Sequence, residues 1–192
     1  MGASHTATNT ITVTPDTGAA VSLADVAYEG RAFKAPIYYG YRLSWFGDTT
    51  SRVGVEAEFT HAKAYATDTH SAVLTTFQQS HGLNLAFGNL AWRSAPSCGG
   101  RCRLVTRGGL GISLPHMEST YRGVHREQYQ YGGIAWQVGT GIEWQVAGGL
   151  TATADARYSR VTEHHLHAAG ADVSGTFSTL HATAGVGWRF GR

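Results

Sequence analysis

The sequence holds only 4 prolines, 2 cysteines and 15% charged residues, and nowhere approaches the roughly 20 consecutive apolar residues of a membrane-spanning helix. If the chain crosses a bilayer it must do so as a closed barrel, because lipid offers open sheet edges no hydrogen-bond partners. A mean hydropathy of −0.19 is compatible with that, since half the residues of a barrel strand face inward. The net charge of +2 is too small to argue for a nucleic-acid partner. Lysine is almost missing, with 2 residues against 13 arginines. Arginine suits fixed pairs with carboxylates inside a polar lumen, and it also suits phosphate. Met1-Gly-Ala-Ser has neither the charged start nor the apolar core of a signal peptide, so the sequence reads as a mature form. Without an internal repeat, linker or low-complexity segment, residues 1–192 read as one domain.

What is abundant is glycine, 25 residues, together with 9 tyrosines and 5 tryptophans, a composition that favours many strands. The clearest pattern runs from Leu180 to Phe190: Leu180, Ala182, Ala184, Val186, Trp188 and Phe190 alternate with His181, Thr183, Gly185, Gly187 and Arg189. Apolar residues ending on an aromatic, opposed by small or charged ones, suit a barrel wall in lipid. The same alternation marks about eight strands, near 3–14, 36–46, 52–62, 80–93, 103–114, 130–146, 149–161 and 176–190. Connections are short at 47–50, 98–101 and 147–149 and long at 15–35, 63–79, 115–129 and 162–175. Bacterial barrels keep short turns in the periplasm and long loops outside. The expected fold is all-β: an eight-stranded antiparallel up-and-down transmembrane β-barrel in the bacterial outer membrane, a monomer with both termini periplasmic.

The polar faces collect Arg42, Glu56, Glu58, Arg107, Glu143, Asp155, Arg157 and Arg189 in a lumen that eight strands leave about filled by side chains. These charges are expected to pair with one another, and His181 to find a hydrogen bond there. Cys98 and Cys102, in a short glycine-containing turn, are expected to form a small disulfide in an oxidising periplasm; the alternative is an exposed turn with inert thiols.

Polar residues that a wall does not need cluster at the loop-side strand ends. They are Glu-Gly-Arg-Ala-Phe-Lys-Ala-Pro-Ile-Tyr-Tyr-Gly at 29–40, Phe-Thr-His-Ala-Lys-Ala-Tyr at 59–65, Ser-His-Gly-Leu-Asn at 80–84, Leu-Pro-His-Met-Glu at 114–118 and Tyr-Gln-Tyr-Gly-Gly at 129–133. In this order the segments resemble the lipid A oxidase family of outer-membrane barrels, from about residue 20 to the C-terminus. The resemblance implies oxidation of the proximal glucosamine of lipid A to 2-aminogluconate, with molecular oxygen as electron acceptor and a divalent metal ion assisting. Such chemistry needs a base and a centre able to handle electrons. His61, His81 and His116, with Glu118, come from different strand ends and are the expected metal ligands, with His81, His116 and Glu118 as the acid–base groups. Asn84 and Gln130 are expected to position substrate, and Arg31 and Lys34 to contact the phosphates of lipid A or lipopolysaccharide. His164, His165 and His167 form a denser cluster, read as a solvated loop. Two other functions compete: lipid A deacylation, for which Ser80 and His81 are adjacent but expected to point to opposite faces, and a non-enzymatic structural or adhesive barrel.

Overall fold

In a computed structural model, which describes residues 1–48 and 50–190, all regular structure is β-strand. The twelve segments are β1 (Gly2–Thr6), β2 (Asn9–Pro15), β3 (Val21–Glu29), β4 (Tyr39–Trp45), β5 (Val53–Asp68), β6 (Leu74–Arg93), β7 (Cys102–Ser113), β8 (His116–Tyr121), β9 (Val124–Tyr129), β10 (Gly133–Ala147), β11 (Leu150–Ala168) and β12 (Ala171–Trp188). Thr49, in one of the expected turns, lies outside the described residues. No described helix is long and apolar enough to cross a membrane.

Every pairing is antiparallel, and the sheet returns on itself. Following neighbours from β5 leads through β6, β7, β10, β11, β12, β2 and β3 back to β5. β1 runs along β12 below β2, and β4 runs along β5 below β3. The turns near Asp48, Ser97 and Gly148 gather at the lower end with the C-terminal residues, as the Arg93 to Asp48 and Arg189 to Gly149 contacts show.

The lower half has inverted polarity. Tyr41, Leu43, Trp45, Val55, Leu90, Leu110, Trp136, Val138, Trp144, Val186 and Trp188 face outward, with Leu110 69% and Val186 85% exposed. Glu56, Glu58, Asn89, Arg107, Gln137 and Arg157 are buried in the lumen. Three guanidiniums meet three carboxylates there. Arg42 reaches Glu58 at 3.2 Å and Asp155 at 3.4 Å, Arg107 reaches Glu56 at 2.8 Å and also touches Asp155, and Arg157 touches Glu58. Gly139 and Gly141 make room for them, since a Cβ at either would lie 2.5 Å from Arg157 Cγ or 2.3 Å from Asp155 Oδ1. His181 is satisfied on both nitrogens, by Tyr38 at 3.0 Å and Ser159 at 2.8 Å.

The upper half has ordinary polarity. Ile11, Val26, Leu74, Phe77, Leu83, Met117, Leu166, Val173 and Phe177 form an apolar core inside the ring. The connections expected at 63–79, 115–129 and 162–175 are therefore largely strand: β5, β6, β11 and β12 run on into the upper half, and β8 and β9 form a hairpin there. Likewise β3 lies within the expected connection 15–35, and the expected strand 36–46 is ordered as strand only from Tyr39. Burying this core favours strand over loop, at about 1.5–3 kcal/mol per large apolar side chain. His164, His165 and His167 consequently lie on β11 rather than in a loop.

Two further expectations change. Cys98 and Cys102 are free thiols; backbone hydrogen bonds of 2.8 and 3.0 Å between Ser97 and Cys102 already close their turn. In the lower half, the edge of β4 away from β5 has no strand partner among the described residues, and a cavity of about 910 Å³ opens between it and the end of β12.

Candidate functional site on the outer face of the wall

The alternation that sends Glu56, Glu58 and Thr60 inward sends Phe59, His61, Lys63 and Tyr65 outward on β5. Tyr39, Asn84 and His116 occupy the same outer face on β4, β6 and β8. His61, Asn84 and His116 thus lie on the outside of the wall, just above the apolar belt. His61 stacks on Tyr39 at 4.7 Å between ring centres, and its Nδ1 lies 2.8 Å from Asn84 Oδ1. The His81 and His116 rings meet edge to face at 4.7 Å, and His116 contacts Tyr129 at 4.5 Å. Glu118 lies two residues beyond His116 on the same face, opposite Glu127.

The segment between β3 and β4 covers part of this face. Lys63 Nζ donates to the Lys34 carbonyl at 2.8 Å, and the Arg31 guanidinium lies 4.3 Å from the Tyr65 ring centre. Tyr65 donates to the Ser80 carbonyl at 3.1 Å. Lys63 is 1% exposed, and no carboxylate pairs with it among the described residues. His61 Nε2 and His116 Nδ1 are likewise buried without a partner. A buried ammonium with one backbone acceptor and two open imidazole nitrogens make a surface suited to a ligand bearing negative charge and hydroxyl groups.

An irregularity in β6 shapes the centre. Between the pairs Ala62 with Leu83 and Ala64 with Gln79, the three residues Ser80, His81 and Gly82 of β6 stand opposite the single Lys63 of β5. Gly82 has φ +122°, and a Cβ there would lie 2.4 Å from His61 Nδ1 and 2.5 Å from Asn84 Oδ1. The bulge also brings Ser80 Oγ within 3.2 Å of His81 Nδ1, contrary to the expectation that the two side chains point apart. Among the described residues no carboxylate orients His81, so this pair lacks the third member of a hydrolytic triad.

Gln130 is not part of the patch: its amide donates to the His167 carbonyl at 3.2 Å and accepts the His167 N–H at 2.7 Å, tying the β9–β10 connection to β11. The four expected metal ligands do not form a ligand set, since no three His, Cys, Asp or Glu side chains are grouped to hold an ion among the described residues. On the upper hairpin, His165 and His167 bond Asp172 at 3.1 and 2.5 Å. Burial acts to raise the Asp172 carboxyl, but the two histidine hydrogen bonds outweigh it and hold it below the usual carboxylate range. Sequence reasoning held Lys63 only as part of the segment at 59–65 and gave Gly82 no role; a glycine between His81 and Asn84 was the available signal.

No family model matches the chain, and no curated protein does. Among solved structures, the chain is similar to the crystal structure of Neisserial surface protein A, with a TM-score of 0.43 and 11% identity over 94% of this chain and 95% of that one. It is also similar to Ail, the attachment invasion locus protein of Yersinia pestis, with a TM-score of 0.38 and 11% identity over 95% of this chain and 97% of that one. Likenesses of this degree assign no activity.

Proposed function

We propose that the chain is an outer-membrane barrel that holds the phosphorylated sugar headgroup of lipid A against its outer face. In this reading the twelve segments lie along eight staves, with β1 and β2 on one and β3 and β4 on the next, and both termini are periplasmic. The exposed apolar belt supports membrane embedding, because a surface of this extent is not left in water. Its height on β10, from Ile134 to Trp144, matches the roughly 9–11 residues of a tilted spanning strand. The observation that carries the headgroup reading is Lys63: a buried ammonium without a carboxylate, beside Arg31 and Lys34, on the outward face at the upper edge of the belt. That level suits a lipid headgroup approached from the membrane plane.

Oxidation of the proximal glucosamine by molecular oxygen is the activity that the resemblance implies, and the gathering of its motifs on one face supports it. Among the described residues, the side chains as placed do not fit the assisting metal. The non-enzymatic reading draws its support from the upper half, which is built as an apolar-cored extension able to present a surface beyond the membrane. Mass spectrometry of lipid A from cells with and without the protein separates these readings. A gained oxygen supports the oxidase, a lost acyl chain the deacylase, and an unchanged lipid the non-enzymatic barrel. Flotation with vesicles containing lipid A tests the headgroup reading itself, and absence of protein-dependent enrichment of lipid A would overturn it.

A further inference from the structure

We infer that His61 is held as the Nδ1–H tautomer and keeps a bare, buried Nε2 as the acceptor for a ligand hydroxyl, with Asn84 as the residue that sets this orientation. The ligand named for that hydroxyl, a sugar phosphate headgroup, rests on the reading above; the tautomer does not. The Asn84 side chain donates through Nδ2 to the Leu114 carbonyl at 3.1 Å. Turning the amide over would set two oxygens against each other, so Oδ1 faces His61 and accepts from its Nδ1–H at 2.8 Å. A neutral ring that carries its proton on Nδ1 has its lone pair on Nε2.

That nitrogen is buried and has no partner among the described residues, and His61 is 4% exposed. A proton on Nε2 would be a buried donor without an acceptor, and a doubly protonated ring would add a second cation two residues from the Lys63 ammonium on the same face. Tyr39 stacks against the ring and fixes its plane. Gly82 is part of the same device, because any side chain there would occupy the space of the His61–Asn84 hydrogen bond. The acceptor therefore has a defined direction before any ligand arrives. A donor hydroxyl satisfies Nε2, while Lys63 and Arg31 supply positive charge for an anionic group on the same molecule.

The test is nitrogen NMR of histidine-labelled protein in detergent micelles at pH 7, with the His61 signals assigned by their loss in His61→Gln. The expected result is a protonated Nδ1 and a bare Nε2 in the wild type, a mixture of tautomers in Asn84→Ala, and movement of the Nε2 signal when lipid A is added. A protonated Nε2 in the wild type overturns the inference. So does an unmoved Nε2 signal when flotation shows that lipid A is bound, a result that leaves the headgroup reading standing. If lipid A fails to bind while glucosamine 1-phosphate moves the signal, the headgroup reading fails and the hydroxyl acceptor is retained. If neither molecule moves it, the acceptor role is overturned. Heat-modifiable migration of both variants on gels checks that each is folded.

Discussion

Removing Arg107 should unbalance the lumen more than any other single substitution there. Its Nε bonds Glu56 Oε2 at 2.8 Å while the same guanidinium touches Asp155, and the Glu56 side chain is fully buried. Arg107→Met leaves three carboxylates facing the guanidiniums of Arg42 and Arg157. Arg42 is the nearer replacement, but it lies 3.8 Å from Glu56 and already serves Glu58 and Asp155. At an effective dielectric of about 20, a unit pair roughly 3 Å apart attracts by about 5–6 kcal/mol. Measured losses for breaking a buried pair from one side are about 3–5 kcal/mol, because the stranded charge remains. We expect the second range, a large share of the roughly 5–15 kcal/mol that stabilises a typical domain. Urea unfolding of protein folded in vesicles, followed by tryptophan fluorescence, measures it. Arg107→Met combined with Glu56→Gln should recover more than about 1 kcal/mol relative to additive behaviour, since the two groups share one bond. A loss under about 1 kcal/mol for Arg107→Met, or strict additivity, would refute the view that this network is held by mutual neutralisation.

Lys63→Met should leave unfolding stability unchanged or higher, because an apolar chain replaces a buried charge that no described carboxylate balances. The same variant should bind lipid A vesicles about tenfold or more weakly, from loss of a charge-assisted bond of about 1.5–3 kcal/mol; equal binding by flotation would count against the headgroup reading. Val138→Arg, on the outward belt of β10, should destabilise the vesicle-folded protein by about 2–4 kcal/mol if this face lies in lipid. His125→Arg on the exposed hairpin serves as the control and should stay within about 0.5 kcal/mol. At the lower end, Asp48 accepts from Thr50 N, Thr50 Oγ1 and Ser51 N, each at 2.7 Å, and these bonds bring its carboxyl down from 3.8 to about 2. Its folded value lies below its unfolded one, so its contribution is complete above about pH 4 and disappears as the pH falls through about 2. Carbon NMR titration of Asp48 should show that low midpoint, and a midpoint near 3.8 would refute the turn assignment.

The lower half was legible because its alternation is uninterrupted and its polarity inverted: Ile134, Trp136 and Val138 face out while Ala135, Gln137 and Gly139 face in, as the sequence spacing requires. The upper half was not, because the same strands exchange polarity part of the way along. On β5 the inward positions change from Glu56 and Glu58 to Ala62 and Ala64, and on β11 the register shifts between Glu163 and Leu166. A pattern tuned to one polarity stops there and leaves strand to be mistaken for loop. The site shows the same division. Its members could be gathered from five separated motifs, and their orientation was also available, since His61 shares its parity with Val53, Val55, Ala57 and Phe59 of the apolar face. That parity sets the histidines at the loop-side strand ends on the outer face of the wall. With the apolar belt in lipid, as proposed, a ligand that reaches His61 and Lys63 there arrives sideways along the membrane, which favours a lipid over a solute passing through the lumen.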